Sequence, residues 1–416
     1  MVALVSAVAL AAAAAAPSPP PSFFNCSSQP ASAYTPVVLK NSVSPLFTMT
    51  HRPPDLTHPT PQKGMEVHVM PYGATLTNLI VPDKAGTKRD VVLGWDDRIN
   101  YCEYPNGVGA EHTYFGATIG RIANRIAGGT FKVGGKTYTT PLNDHGVATL
   151  HGGWVGYDRR VWRILHQSSS SVEWTYTSPD GESGFPGTLV INVTHSLTEE
   201  NEWVLSYSAS TDAPTIVAMT NHAYFNLNAN VDGTTTVLEH ELKMPTATSL
   251  QDVSGAPDYH LLPTGKVNHI AVGSPWDFSQ TKQVGKDIDK GDVTAKGGYD
   301  NAWLFSDWKK GMPSRPVVTL SSPLTGIQLE MSTDQPSVQI YTGNFLNGTD
   351  TNMTAGSARI ARKASQGKGF YHYRGAITLE AQQYIDAANH PNFPSIELLP
   401  GQRYEQKTSY KFSTTK

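Results

Sequence analysis

Period-two alternation of inward and outward side chains runs through the stretch Leu189-Val190-Ile191-Asn192-Val193-Thr194-His195-Ser196-Leu197. Such alternation is typical of a strand that has one face on a core and the other toward solvent. Trp203, Leu205 and Tyr207 alternate with Ser206 and Ser208 in a second segment, and a short polar link, residues 198–202, joins the two. The pair predicts a β-hairpin, and therefore antiparallel sheet.

The composition extends this prediction to the rest of the 416-residue chain. There are 36 Gly and 29 Pro, which implies many turns and argues against a helical bundle. Glycine pairs punctuate further short strands, and no long helical periodicity competes with them. We therefore expect an all-β fold, a large antiparallel β-sandwich with few short helices. All-β domains can exceed about 200 residues, so residues 61–416 are predicted to form one domain.

The N-terminus has the composition of a targeting segment. Residues 1–16 are apolar and alanine-rich, and prolines follow from Pro17. The segment is shorter than the ~20 residues that a membrane span needs, so it predicts a secretory signal peptide. No Lys or Arg precedes the apolar run, and an alanine-rich disordered tail is the alternative. Residues 17–60, rich in Pro, Ser and Thr, predict an arm or linker.

Other features agree with a secreted, extracellular protein. Glycosylation sequons begin at four positions: Asn25, Asn192, Asn347 and Asn352. Cys26 and Cys102 are the two cysteines, and the sequence leaves open whether they pair. The net charge of −3 gives no basic patch for nucleic acid or for an anionic membrane, and neither is expected as a partner after signal cleavage.

A histidine and a distant glutamate are the candidate catalytic groups. His222 lies between two amides and two aromatic residues in the run 220–227, and Glu380 lies among apolar residues in the run 377–382. Imidazole titrates nearest neutral pH, so it can give or take a proton, although a buried structural histidine is an equal alternative for this run alone. Together the two side chains would form an acid–base pair.

Nine short motifs in a fixed order resemble the aldose 1-epimerase (galactose mutarotase) family. They lie between about Lys63 and Phe412 and start at the following residues: Tyr72 (YGATL), Asp90 (DVVLG), Gly120 (GRIANRI), Leu150 (LHGG), Asn221 (NHAYFNL), Gly298 (GYD), Gln339 (QIYTGNF), Leu379 (LEAQ) and Leu399 (LPG). The resemblance implies a large antiparallel β-sandwich that holds the sugar in an open cleft on one sheet. It also implies an isomerase that interconverts the α and β anomers of free hexoses such as glucose and galactose.

The resemblance assigns the two candidate groups complementary roles on opposite sides of the sugar. Glu380 takes the proton of the anomeric hydroxyl and His222 gives a proton to the ring oxygen, so that the ring opens, the C1–C2 bond rotates and the ring recloses. The carboxylate must then be ionised and the histidine protonated. The apolar neighbours Ile377 and Leu379 are expected to raise the pKa of Glu380. No metal, nucleotide or other cofactor is expected.

The resemblance also implies a set of sugar-binding residues. Five positions match: Asn124, Arg125, His151, Asp300 and Gln339. A structural ion pair is the alternative for Arg125, and an amide bonded along a strand is the alternative for Gln339. Trp303 is either a stacking platform for the sugar or a core residue.

One departure and several rival functions remain open. Family members often continue Gly-Tyr-Asp with His-Asn, whereas Asn301 and Ala302 follow here, so the preference among sugars is uncertain. A glycosidase would use Glu380 and Asp300 as its two carboxylates, but His222 would then have no role. The alternative from another class is a secreted carbohydrate-binding module on the same fold. A monomer or weak dimer is expected.

Overall fold

The computed structural model describes Cys26 and residues 29–41, 64–102, 113–230, 233–253, 261–290, 297–346 and 361–415. The first strands are β1 (Val37–Lys40), β2 (Glu66–Met70), β3 (Thr75–Pro82), β4 (Lys88–Asp90), β5 (Thr118–Ile119), β6 (Arg125–Ala127), β7 (Thr130–Val133), β8 (Lys136–Thr139), β9 (Ala148–Leu150), β10 (Arg163–Gln167), β11 (Ser171–Ser178), β12 (Leu189–Leu197) and β13 (Glu202–Thr211). Those that follow are β14 (Thr215–Ile216), β15 (Thr220–Asn221), β16 (Tyr224–Phe225), β17 (Glu241–Lys243), β18 (Ala247–Gln251), β19 (Val267–His269), β20 (Lys282–Gln283), β21 (Asp300–Phe305), β22 (Arg315–Ser321), β23 (Ile327–Thr333), β24 (Ser337–Tyr341), β25 (Ile377–Gln382), β26 (Glu397–Leu398) and β27 (Tyr404–Thr414).

Helical structure in the described residues is confined to single turns of 3₁₀ helix, at Ala31–Tyr34, Arg98–Tyr101, Tyr157–Arg159, Glu182–Gly184, Val284–Lys286, Ala364–Gln366 and Ala387–Asn389. The predicted all-β class with few short helices is therefore confirmed. Across the part of the chain that is described, no helix combines the length and apolarity needed to span a bilayer.

Two large antiparallel sheets form the body of the fold. The nine-stranded sheet has the order β10-β11-β12-β13-β27-β23-β22-β17-β20, and the six-stranded sheet has the order β16-β25-β24-β21-β18-β19. The predicted hairpin is confirmed, because β12 pairs with β13 from Leu189 opposite Thr211 to Leu197 opposite Trp203. A separate four-stranded sheet, β1 to β4, packs beside them through residues of the same hydrophobic core.

The main core lies between the two large sheets. Tyr410 of the nine-stranded sheet donates from its hydroxyl to the Leu379 carbonyl of the six-stranded sheet at 2.9 Å, and its ring packs against Phe225. Ile377, Leu379 and Ala381 of β25 belong to this core. Because side chains alternate along a strand, Thr378, Glu380 and Gln382 lie on the opposite face of β25. The outer face of the six-stranded sheet therefore carries the polar residues of interest.

Part of the predicted N-terminal arm belongs to the folded body. β1 pairs with β2, and Leu39 is fully buried in the core. The Asn41 side chain donates to the Thr198 carbonyl and accepts from the Met65 amide. Residues 29–41 therefore differ from the expected linker. They contain a strand that pairs with β2 and a leucine that is buried in the core.

The two cysteines form a disulfide, Cys26–Cys102, which ties the arm to the body. Of the four sequons, Asn192 lies on the half-buried outer side of β12, whereas Asn25, Asn347 and Asn352 lie outside the described residues. The predicted signal peptide, residues 1–16, also lies outside them.

Candidate active site

Glu380 lies in the middle of β25, on the outer face of the six-stranded sheet. Its carboxylate is 2 % exposed, and Oε1 accepts a hydrogen bond from the Thr378 hydroxyl at 2.9 Å. Gln339 of β24 is its direct cross-strand neighbour. Among the described residues, Oε2 has no hydrogen-bond partner. A buried carboxylate with an unused oxygen is poised to accept a proton from a ligand.

His222 lies in the same row as Glu380. Tyr224 pairs with Thr378, so His222, two residues earlier, lies opposite Glu380. Its backbone is fixed by hydrogen bonds with Gly116 and Ala117, and the Nε2–Oε1 distance to Glu380 is 3.6 Å. The two groups are therefore side by side, rather than on opposite sides of a space for the sugar.

The His222 ring is packed between two tyrosines. Tyr224 stacks on it at a centroid distance of 4.9 Å, and Tyr114 stacks at 5.6 Å. Tyr114 also meets the ring of His151 edge-on at 4.6 Å, and its backbone has a φ of 52°. A tyrosine rarely adopts this left-handed conformation, and such strain is common where a side chain must be aimed at a functional group.

His151 is held in one tautomer by the backbone of Asn124. The Asn124 amide donates to Nδ1 of His151 at 3.1 Å, and the His151 amide donates to the Asn124 carbonyl at 2.9 Å. Because Nδ1 accepts, Nε2 of the neutral ring carries the proton. The rings of His151 and His222 are 5.3 Å apart, so His151 presents a donor next to the acid–base pair.

Arg125, at the start of β6, is oriented by an ion pair and by its neighbour. Its Nε donates to Asp144 at 2.7 Å, and Nη1 donates to the Asn124 side chain at 3.2 Å. Arg125 thus has the structural ion pair that was its alternative interpretation. It also lies close enough to Glu380 and Asp300 for its charge to lower the pKa of both carboxyls.

Asp300 and Gln339 complete the cluster. The Gln339 amide donates to Asp300 Oδ1 at 2.7 Å, across the strands β24 and β21. Burial raises the pKa of Asp300 to about 6, against the opposing charge of Arg125. The structure therefore brings all seven predicted site residues together, with Glu380, Gln339 and Asp300 on the outer face of the six-stranded sheet and the other four on neighbouring segments.

Burial also raises the pKa of Glu380, to about 8, and the nearby Asp300 adds to the shift. The direction agrees with the expectation from sequence, but the cause differs. Ile377 and Leu379 point into the core on the opposite face of β25, so the desolvation comes from the side chains that cover the site. The carboxylate is then largely ionised only above about pH 8.

The same groups offer a possible metal-ligand set. One atom each of His151, His222 and Glu380 lies within 4.8 Å of the others. However, the Asn124 amide occupies Nδ1 of His151, so the remaining nitrogen carries a proton and has no lone pair for a metal. In this tautomer the set fits hydrogen bonding to a hydroxylated ligand better than metal coordination.

Strand alternation places the three residues 301–303, which follow Asp300 in β21, on one face of the sheet or the other. Trp303 is fully buried on the core face of β21 and donates to the Trp276 carbonyl, so it is a core residue. Asn301 also faces away from the site, whereas Ala302 lies opposite Gln339 on the site face. The replacement of the family's histidine by Asn301 therefore does not remove a side chain from the site. The replacement of the family's asparagine by Ala302 does, because position 302 lies on the site face.

Sequence reasoning missed Tyr114, Thr378 and Asp144. Period-two alternation from Glu380 would have placed Thr378 on the same face. Asp144 and Tyr114 are contributed by loops, and the sequence carries no local signal for their contacts, which depend on packing between distant segments and, for Tyr114, on a left-handed backbone conformation.

Comparisons with known proteins agree with this geometry. The family model described as aldose 1-epimerase matches residues 56–411. Galactose mutarotase of Homo sapiens is 36% identical over 351 residues, which cover 84% of this chain and 91% of that protein. Aldose 1-epimerase of Haemophilus influenzae is 34% identical over 355 residues, which cover 84% of this chain and 93% of that protein.

Solved structures resemble the fold along most of its length. The aldose epimerase homologue from C. elegans has a TM-score of 0.71 at 30% identity, with 85% of this chain and 96% of that chain covered. Galactose 1-epimerase from Lactobacillus acidophilus has a TM-score of 0.64 at 27% identity, with 85% and 92% covered. This chain is therefore an isomerase and belongs to the aldose 1-epimerase family.

Proposed function

We propose that this chain interconverts the α and β anomers of free aldohexoses, with Glu380 as the base and His222 as the acid. The observation that carries the assignment is their contact: Nε2 of His222 is 3.6 Å from Oε1 of Glu380, inside a buried polar layer. O1 and the ring oxygen are both bonded to C1, so the groups that serve them must lie close together. A side-by-side pair suits this requirement.

The proton balance of the reaction needs nothing beyond the pair. Glu380 accepts the proton of the anomeric hydroxyl while His222 donates one to the ring oxygen, and the C1–O5 bond breaks as the C1–O1 bond becomes a carbonyl. After rotation about C1–C2, the hydroxyl at C5 attacks the other face of the aldehyde and both protons return. Positioned groups of this kind contribute about 10²–10⁴-fold each.

The remaining cluster is suited to hold the hydroxyls of the sugar. His151 presents Nε2–H, Arg125 presents a planar cation, and Asp300 and Gln339 present acceptors and an amide. Galactose is the sugar named for the mammalian relatives, and we propose galactose and glucose as the substrates here.

Polarimetry of freshly dissolved α-D-galactose and α-D-glucose tests the activity. We expect the purified protein to accelerate the decay of optical rotation in proportion to its concentration. The Glu380→Gln and His222→Asn variants should retain sugar binding in a calorimetric titration and lose the acceleration. A variant that keeps near-wild-type turnover would remove its residue from the assigned role.

We also propose that the protein acts outside the cell. The disulfide between Cys26 and Cys102 supports this, since such bonds persist in oxidising compartments. N-terminal sequencing of protein from culture medium tests the proposal, and a start near Pro17 is expected. An intracellular product with Met1 intact would contradict it.

A further inference from the structure

Gln382 is a buried glutamine on the site face that no part of the proposed mechanism uses. It is the last residue of β25, two positions beyond Glu380, and it is 1% exposed. Neither its side-chain oxygen nor its nitrogen has a hydrogen-bond partner among the described residues. A buried amide without partners destabilises the folded state, so its retention in the interior calls for a functional explanation.

Two other buried glutamines among the described residues, Gln251 and Gln366, have both side-chain atoms hydrogen-bonded. Gln251 exchanges two hydrogen bonds with the backbone of Ile385, at 3.1 and 2.7 Å. Gln366 donates to the carbonyls of Asp90 and Val92 and accepts from the Tyr371 hydroxyl. The fold is therefore able to pair a buried amide fully, whereas both side-chain atoms of Gln382 are left without a partner among the described residues.

Two other residues on the site face also carry an unpaired polar atom. Oε2 of Glu380 and Oε1 of Gln339 also lack a hydrogen-bond partner in the described part of the chain. Glu380 and Gln339 are cross-strand partners, about 5 Å apart between their Cβ atoms, and Gln382 is about 7 Å along the strand from Glu380. Three long side chains at this spacing can converge on one polar atom, such as a water or a sugar hydroxyl.

We propose that Gln382 is a positioning residue for the base, and that its amide supplies the donor which holds Glu380 in its ionised form. The inference rests on the proposed role of Glu380. In this proposal a water or a sugar hydroxyl between the three side chains relays the hydrogen bond from Gln382 to Glu380. Because a donor favours the charged carboxylate, it opposes the desolvation that otherwise keeps Glu380 protonated.

Several other groups act on Glu380 and set the background for this effect. His222 and His151 face it from the loops that precede β16 and follow β9, at ligand-atom distances within 4.8 Å. The remaining charged or titratable neighbours are Arg125 of β6, Asp300 of β21, Tyr224 of β16 and Tyr410 of β27. Thr378 is the neutral donor to Oε1 of Glu380, and Gln382 is proposed as a second neutral donor, so its substitution changes the hydrogen bonding of Glu380 without removing a charge.

The test compares the pH profiles of kcat/KM for two variants with the wild type. Gln382→Met keeps the length of the side chain and removes its donor, and Gln382→Glu keeps the shape and adds a carboxylate. Both should move the acid limb of the profile to higher pH. For a shift of one unit, kcat/KM falls about tenfold at pH 7 and about twofold at pH 9. Gln383→Met, which lies next in sequence and bonds to Gln335 instead, is the matched control and should leave the limb in place.

A purely structural role predicts another pattern. A loss of kcat/KM by the same factor at every pH, with a lower Tm and an unmoved limb, would overturn the inference. An unchanged profile in both variants would overturn it too. These results leave the role of Glu380 intact as long as Glu380→Gln is inactive, and an active Glu380→Gln would instead remove the base on which the inference rests.

Discussion

Two carboxylates, Asp90 and Glu380, are equally buried but differ in how they are paired. Asp90 accepts hydrogen bonds from the Asn78 side chain, the Leu79 amide and the Ser365 hydroxyl, and Lys363 Nζ lies 2.6 Å from its Oδ2. Glu380 accepts one hydrogen bond from Thr378 at Oε1, and its nearest potential cation is His222 at 3.6 Å.

The difference separates a carboxylate that stabilises the fold from one kept for chemistry. At Asp90 the charge is compensated by a lysine that is itself 1% exposed and donates further to the Thr77 carbonyl. At Glu380 desolvation dominates and raises the pKa to about 8. Asp90 is fully paired, whereas the incomplete pairing of Glu380 lowers the stability of the folded state. Such a loss of stability is common at active sites.

Replacement of Glu380 should produce the largest effect. We expect Glu380→Gln to lower kcat by about 10³-fold, within the usual range for a positioned acid–base group. It should also raise the Tm by a few degrees near neutral pH. The folded pKa, about 8, lies above the reference value of 4.5, so the wild type loses stability as pH rises between these values, whereas the amide variant does not.

Thermal unfolding of both proteins from pH 5 to pH 9 measures this effect. The difference in Tm should be small at pH 5 and should widen up to about pH 8. Equal Tm values at all pH values would mean that Glu380 is not desolvated as described, and the contrast with Asp90 would then fail.

Replacement of Lys363 tests the other half of the comparison. Lys363→Met leaves Asp90 buried without its cation, and we expect a loss of about 3–5 kcal/mol in the free energy of unfolding. Adding Asp90→Asn to this variant should recover part of that loss, because the unpaired charge is then removed. The kcat of the folded protein should stay within about twofold of wild type, since neither residue contacts the site cluster. Urea unfolding and polarimetry at 20 °C are the two measurements.

The sequence was informative about the sheets for a clear physical reason. Alternation such as that of Leu189 to Leu197 records which face of a strand is buried, and β12 follows it residue by residue. The structure of the N-terminal arm was harder to predict, because β1 pairs with β2 across the intervening residues 41–65. Proline, serine and threonine around it gave the composition of a linker, although Leu39 is buried in the core.

At the site, the resemblance to the family predicted which residues take part, and the structure shows the distances and contacts between them. The ordered motifs predicted that His222 and Glu380 belong to one site. No motif encodes a distance, so their side-by-side placement was not predicted. Local neighbours also misled, since Ile377 and Leu379 precede Glu380 in sequence yet face the other side of the strand. Tyr114 gave no signal, because its position depends on a left-handed turn.

The pH dependence of the reaction reports the ionisation of Glu380. If Glu380 must be ionised, kcat/KM should rise with pH through the neutral range, by up to about tenfold per unit below pH 8. The acid limb should persist in Asp300→Asn but move to lower pH, because a neighbouring negative charge that opposes ionisation is gone. A profile that is flat from pH 6 to pH 8 would show that the base titrates well below the value expected from its burial.

The smallest expected effect concerns the cation that faces each carboxylate. The ammonium group of Lys363 contacts the Asp90 carboxylate and the Thr77 carbonyl. The imidazole of His222 instead stacks between the rings of Tyr114 and Tyr224. Aromatic faces attract a cation by about 0.5–2 kcal/mol, so they favour the protonated imidazole that the proposed acid requires.

Tyr114→Leu removes one ring while it keeps an apolar side chain, and we expect kcat/KM to fall about three- to tenfold. Tyr114→Phe retains the ring and is the matched control, with activity close to wild type. If leucine and phenylalanine lower kcat/KM equally, the hydroxyl rather than the ring is what the site uses, and the stacked ring then contributes nothing to the charge of His222.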